Sequence, residues 1–107
     1  MNETILKINS SVLIIPKDFT GIIECLNGSK FWCLNGKLHR DNDLPACEYA
    51  NGSKEWWING KRHREDGPAI LHIDGYVDWY LNGKNLSHWE WKELIRKRQH
   101  NPNDIFF

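Results

Sequence analysis

The spacing of Asn-Gly and Asp-Gly pairs constrains this chain more than any other feature. Asn27-Gly28, Asn51-Gly52 and Asp74-Gly75 lie 24 and then 23 residues apart. Each is followed eight residues later by a second pair, Asn35-Gly36, Asn59-Gly60 or Asn82-Gly83. Asp66-Gly67 is a seventh, which leaves Gly21 as the one glycine of eight outside the series. Such pairs suit the central positions of type I′ hairpin turns, where both residues need φ > 0. The six residues between paired turns match a strand length. Aromatic and aliphatic residues there (Phe31, Trp32; Trp56, Ile58; Val77, Leu81) favour strands. The spacing predicts a mainly β fold, an antiparallel meander of repeated β-hairpins. About three repeats of 23–24 residues stack in one dimension into an elongated, twisted sheet.

The columns of the repeat assign faces. Trp32, Trp56 and Trp79 share one position, with Leu34, Ile58 and Leu81 two residues on and on the same face. This face is expected to be the core. The opposite face carries Phe31, Glu55 and Asp78, then Cys33, Trp57 and Tyr80, and is expected to be partly exposed. Counting outward from two-residue turns sets Trp32 opposite His39 and Trp56 opposite His63. It also sets Trp57 opposite Arg62 and Glu55 opposite Arg64.

The ends differ from the middle. Ser87 and Glu90 form a capping box ahead of HWEWKELIRKRQH. Trp91, Leu94 and Ile95 there have helical spacing, Glu93 can pair with Lys97, and Asn101-Pro102 stops the helix. One C-terminal α-helix over 88–100 is predicted to cap the sheet, with a tail at 101–107 whose Ile105, Phe106 and Phe107 either pack back on the domain or insert into a partner. At the other end, ILKINSSVLIIP is expected to form two short strands around Asn9-Ser10, the second ended by Pro16. The partition is thus a single domain, 1–107: N-terminal strands at 1–19, hairpin repeats at 20–86, the capping helix with its N-cap at 87–100 and the tail at 101–107.

Composition narrows the function classes. Fourteen basic and fourteen acidic side chains give zero net charge, so no global field favours nucleic acid or a membrane surface. The N-terminus lacks the basic start and apolar run of a signal peptide, and SSVLIIP is too short to span a bilayer. Cys25, Cys33 and Cys47 are odd in number, which points to reduced thiols and a cytoplasmic protein.

His39-Arg40 and His63-Arg64, each followed by an acidic residue, invite comparison with a general base and an anion clamp. A catalytic site is normally unique, whereas this pattern recurs in register with the turns, so a repeated brace is the expectation. No C-x₂₋₄-C pair and no Gly-rich phosphate loop is present, so no catalytic residue, metal or cofactor is assigned. The candidate partner-binding residues are Glu55, Trp57, Arg62, Arg64, Asp78 and Tyr80, an aromatic-plus-Arg group of the hot-spot kind. Arg96, Lys97 and Arg98 suit the C-terminal end of a helix and could also meet an acidic partner.

The units WWINGKRHREDGPA (Trp56–Ala69) and FWCLNGKLHRDNDLPA (Phe31–Ala46, with one inserted residue) resemble a repeat of the form W-Y-x-N-G-K-x-H-R-x-D-G-P-A, related to MORN-repeat variants. The third unit keeps Trp79-Tyr80-Leu81-Asn82-Gly83-Lys84 and then loses the rest, as a terminal capping repeat would. Such repeats occur in small proteins of large phages and giant viruses, and MORN-type repeats generally bind proteins or lipids. The resemblance implies a non-catalytic protein-interaction module, phage or viral in origin. Its partner would be a host protein, including a defence nuclease complex of the CRISPR type, met in the host cytoplasm. A sheet edge could also pair two copies. Two alternatives differ in class: a nucleic-acid binder using the aromatic/Arg face and the basic helix end, and a small enzyme centred on His63 and Arg64.

Overall fold

The computed structural model describes residues 3–10 and 12–99. The predicted tail at 101–107, the helix end at His100 and one residue of the expected second N-terminal strand, Ser11, lie outside them. Among the described residues eleven strands precede one helix: β1 (Ile5–Ile8), β2 (Gly21–Cys25), β3 (Lys30–Leu34), β4 (Lys37–Leu38), β5 (Cys47–Glu48) and β6 (Lys54–Glu55). Then come β7 (Trp57–Ile58), β8 (Lys61–Arg62), β9 (Ile70–Leu71), β10 (Val77–Leu81), β11 (Lys84–Leu86) and α1 (His88–Gln99). The protein is mainly β, with one C-terminal helix, as the turn spacing predicts.

The glycine pairs make two kinds of turn, not one. At Asn35-Gly36, Asn59-Gly60 and Asn82-Gly83 both residues have positive φ (51° and 78° at the first), as a two-residue type I′ turn requires. At Asn27-Gly28, Asn51-Gly52 and Asp74-Gly75 only the glycine does. There the loop is one residue longer: Gly28 N–H donates to Cys25 O, and Cys25 N–H donates to Ser29 O across the loop. This is a type I turn followed by a glycine bulge. The Asx side chain braces it, as where Ser29 N–H donates to Asn27 Oδ1 at 2.9 Å. Asp66-Gly67 has positive φ at neither residue.

The pairing is a branched meander. β3 pairs with β4 through Cys33↔Leu38 and Leu34↔Lys37, and on its first half with β5 through Lys30↔Glu48 and Phe31↔Cys47. After the first type I′ turn the returning arm therefore stays paired for two residues and leaves through the His-Arg loop. It rejoins beside the strand's first half. The second unit repeats this, with β8 on β7 and β9 on β6. In the third, β11 pairs with β10 and the chain enters α1 where the rejoining arm would run. The departure from antiparallel pairing is β1, which lies parallel to β2 at the edge. The described residues 12–20 form no second strand, because with β1 parallel to β2 the connection between them is a crossover rather than a hairpin.

The expected assignment of faces holds in the middle repeat, where Trp56 is buried and Trp57 only half-buried, and at one end, but fails at the other. Phe31 and Cys33, expected to be partly exposed, are buried in a cluster with Ile23, Cys25 and Cys47. Leu13, Ile15 and Phe19 of the crossover pack on that cluster. At the far end the tryptophan face is the core: Leu81 and Leu86 pack with Trp91 and Ile95 of α1, and Trp79 joins them. Each face of the sheet is thus covered at opposite ends. Leu94, expected in the helix stripe, is 38% exposed, since Trp91 and Ile95 alone face the sheet.

Candidate functional site

Register places the candidate binding residues. Phe31, Cys47, Glu55, Ile70 and Asp78 lie in one cross-strand row. Trp57 pairs with Arg62 one step along the strands. The crossover covers the Phe31 end of this face, and Tyr49 and Trp57 pack against the margin of the same cluster, which leaves Glu55, Trp57 and Arg62 half-buried.

Glu55 organises them. Its Oε1 accepts from Trp57 Nε1 at 2.9 Å and from Arg62 Nε at 3.3 Å. Its Oε2 accepts from the Tyr49 hydroxyl at 3.1 Å. The Arg62 guanidinium carbon lies 4.9 Å from the Trp57 ring centre and 5.4 Å from that of Tyr80, held between the two. Burial alone would lower the Arg62 pKa, but the Glu55 carboxylate and the Tyr80 hydroxyl outweigh it and the net shift is upward, so Arg62 stays charged. Burial, then the neighbouring Cys47 and Glu55, push the Tyr49 hydroxyl far above its ordinary range. Asp78 lies across Ile70 from Glu55 and accepts from the Tyr76 hydroxyl at 2.8 Å.

Arg64 is not part of this group. It was expected opposite Glu55, but β8 ends at Arg62 and the chain leaves the strand. Arg64 instead lies over the Trp56 ring on the other face, 3.7 Å from its centre. Arg40 lies over Trp32 at the same 3.7 Å. The two arginines each donate through Nη1 to a proline carbonyl, Pro45 or Pro68, at 3.1 Å. The histidines are equally equivalent: His39 Nδ1 accepts from Asn59 N–H at 3.0 Å, and His63 Nδ1 from Asn82 N–H at 2.9 Å. Their Nε2 atoms meet Asp41 and Glu65, both at 2.9 Å. Each His-Arg motif thus ties one repeat's strand to the next repeat's turn. In the third unit His88 stacks on Trp79 at 4.0 Å and Trp91 Nε1 donates to Arg64 O at 2.9 Å.

The basic end of α1 is drawn into ion pairs. Arg96 meets Glu93 at 3.0 Å, taking the carboxylate expected for Lys97, and Arg98 reaches Glu65 at 3.3 Å. Cys25, Cys33 and Cys47 are free and buried, and burial raises each thiol's pKa. No cluster of potential metal ligands occurs among the described residues, and none of their helices is long and apolar enough to cross a membrane.

Three participants escape a reading by columns. Tyr49 stands where other repeats have Cys25 and His72, so nothing marks it as a hydroxyl for Glu55. Thr20 does the work of the histidine for the first turn, its Oγ1 accepting from Asn35 N–H at 2.9 Å. It lies 15 residues before its partner, against 20 for His39, so the spacing hides the equivalence. Asp43 grips the second repeat because the inserted residue in the first His-Arg loop brings Asn42 and Asp43 to positive φ. No family model matches the chain, no curated protein is similar to it, and no solved structure matches it. Fold and site define a mainly β protein of hairpin repeats closed by a helix.

Proposed function

We propose that this chain is a non-catalytic protein-interaction module whose contact surface is Glu55, Trp57, Arg62, Asp78 and Tyr80. The observation that carries this reading is Arg62, fixed beside two aromatic rings by Glu55 with its side chain still 35% exposed. A guanidinium already ordered loses little side-chain freedom on association, and aromatic-plus-Arg groups are favoured hot spots. The resemblance to small viral repeat proteins makes a host protein, including a defence nuclease complex, the first class of partner to screen. His39 and His63 occupy equivalent hydrogen-bonded positions, so nothing sets His63 apart as a catalytic base. Arg62, Arg64, Arg96 and Arg98 each meet a carboxylate within the chain, which weakens their pull on phosphate.

Tyr80→Ala tests the surface. It removes one wall of the Arg62 slot and leaves the Glu55 bonds in place. Capture of host protein by the wild-type chain should be lost in the variant, with the thermal transition retained. Undiminished capture rejects this surface, and binding that does not weaken with rising salt would exclude phosphate-driven association as its basis.

A further inference from the structure

The second repeat contains a complex that the first repeat is built to form and does not. Asp43 sits in the groove of the second repeat beside Trp56 and Arg64. Its carboxylate accepts from Arg64 Nε at 2.8 Å and Nη2 at 3.3 Å, a bidentate fork. Its main-chain carbonyl accepts from Trp56 Nε1 at 3.1 Å. In the first repeat Arg40 stands over Trp32 at the same distance and spends Nη1 on the same kind of proline carbonyl. Among the described residues, however, Arg40 Nε, Arg40 Nη2 and Trp32 Nε1 have no hydrogen-bond partner. None is a buried orphan, so all three donors open to solvent. Trp32 and Arg40 line a groove of about 440 Å³ together with Glu3, Thr4, Thr20, His39 and Asp41.

We infer that this groove binds an aspartate side chain presented by a loop of a partner protein, in the pose that Asp43 takes on Arg64. The carboxylate would take the Arg40 fork and the aspartate's own carbonyl the Trp32 indole. Neighbouring acids do not forbid it. Glu3 and Asp41 line the first groove, and Asp43 is held beside Glu65 and Asp66 in the second. Glu48 meets Arg40 Nη1 at 3.2 Å and offsets part of its charge, while leaving the Nε–Nη2 edge open. The site lies on the face opposite Trp57 and Arg62 and does not rest on the function proposed for them.

The test is a nuclear magnetic resonance titration of the labelled chain with N-acetyl-aspartyl-N-methylamide, following the Trp32 indole N–H and the Arg40 Nε–H. Both signals should shift saturably, and the asparagine counterpart of the probe should leave them unmoved. Arg40→Lys keeps the charge but not the fork, and should weaken the Trp32 response about tenfold. Asp43→Gly suits the positive φ and removes the carboxylate while the main-chain carbonyl keeps its Trp56 bond, so Arg64 Nε–H should then respond as well and the Trp56 indole should not. Absence of a saturable shift at Trp32 and Arg40 in the wild-type chain overturns the inference. So does an equal response to the asparagine probe. Binding at Arg64 in Asp43→Gly without binding at Arg40 would mean that Glu48 closes the first site, and overturns it too. The wild-type comparison of the two probes decides the matter even if a variant fails to fold.

Discussion

Gly21 and Gly28 both hold positive φ, at 148° and 96°, yet alanine at the two should cost very different amounts. A Cβ on Gly21 would lie 2.3 Å from the Thr4 carbonyl oxygen and 3.0 Å from the Phe19 ring. The first contact is with the backbone that carries β1, so relief means moving the parallel edge pair. A Cβ on Gly28 meets nothing within 4 Å, leaving only the backbone conformation to resist it. Gly28→Ala should cost about 1 kcal/mol, and Gly21→Ala about 3 kcal/mol or more, since clash adds to strain. Urea denaturation of the two variants measures the difference. Asp43 makes the other residue-scale case. Its fork to Arg64 is partly exposed, with the Asp43 side chain at 36%, so Asp43→Gly should lose about 1 kcal/mol rather than the full value of a buried charged bond. Equal stability of wild type and Asp43→Gly in the same denaturation would show that Arg64 is held by Trp56 and Pro68 alone.

At the scale of elements, α1 depends on its first turn. Ser87 N–H donates to Glu90 Oε1 at 2.9 Å and Glu90 N–H to Ser87 Oγ at 3.1 Å, the reciprocal capping box that the sequence announces. Ser87→Ala should cost about 1 kcal/mol. The Ser87 N–H bond holds the Glu90 carboxyl below its ordinary pKa. A depressed folded-state pKa contributes stability that is fully present above the unfolded value, about 4.3. That contribution fades as pH falls through the lower folded value. The stability difference between wild type and Glu90→Gln should therefore be constant from pH 7 to about 5 and shrink below about 4. Helical circular dichroism during denaturation follows it, and a difference that grows on acidification would contradict the assignment.

Elements also mark where the sequence stops being legible. Turn pairs, strand positions and the capping box are local, and local rules place them. The two kinds of glycine turn share the same letters, and the hydrogen bonds across Leu26 and Asn27 are what separate them. Which face is buried is not local. Phe31 and Trp32 are both apolar, so the column pattern cannot say which one the crossover will cover. Arg64 was misplaced because alternation was extended past Arg62, where pairing ends. Glu55, Trp57 and Arg62 stayed together because a type I′ turn fixes their register.

The whole molecule is extended. Its radius of gyration is 15.9 Å, against about 13 Å for a compact chain of this length. Its extents are 55 × 33 × 21 Å. Two clusters at opposite ends and on opposite faces hold it, the first under the crossover and the second under α1. Between them run the His-Arg ties, each joining neighbouring repeats only. In such a quasi-one-dimensional array stability is a sum of units and nearest-neighbour terms, so an injury need not spread evenly. Trp91→Ala tests this. Trp91 is 8% exposed, packs with Leu81 and Leu86, and donates its indole N–H to Arg64 O. Its loss should cost about 3–5 kcal/mol in the unit it caps. Amide hydrogen exchange should then accelerate strongly in β10 and β11, less in β7 and β8, and hardly in β2 and β3. Uniform acceleration across all strands would instead mean that the two clusters unfold as one, and that the repeat ties transmit the full loss from end to end.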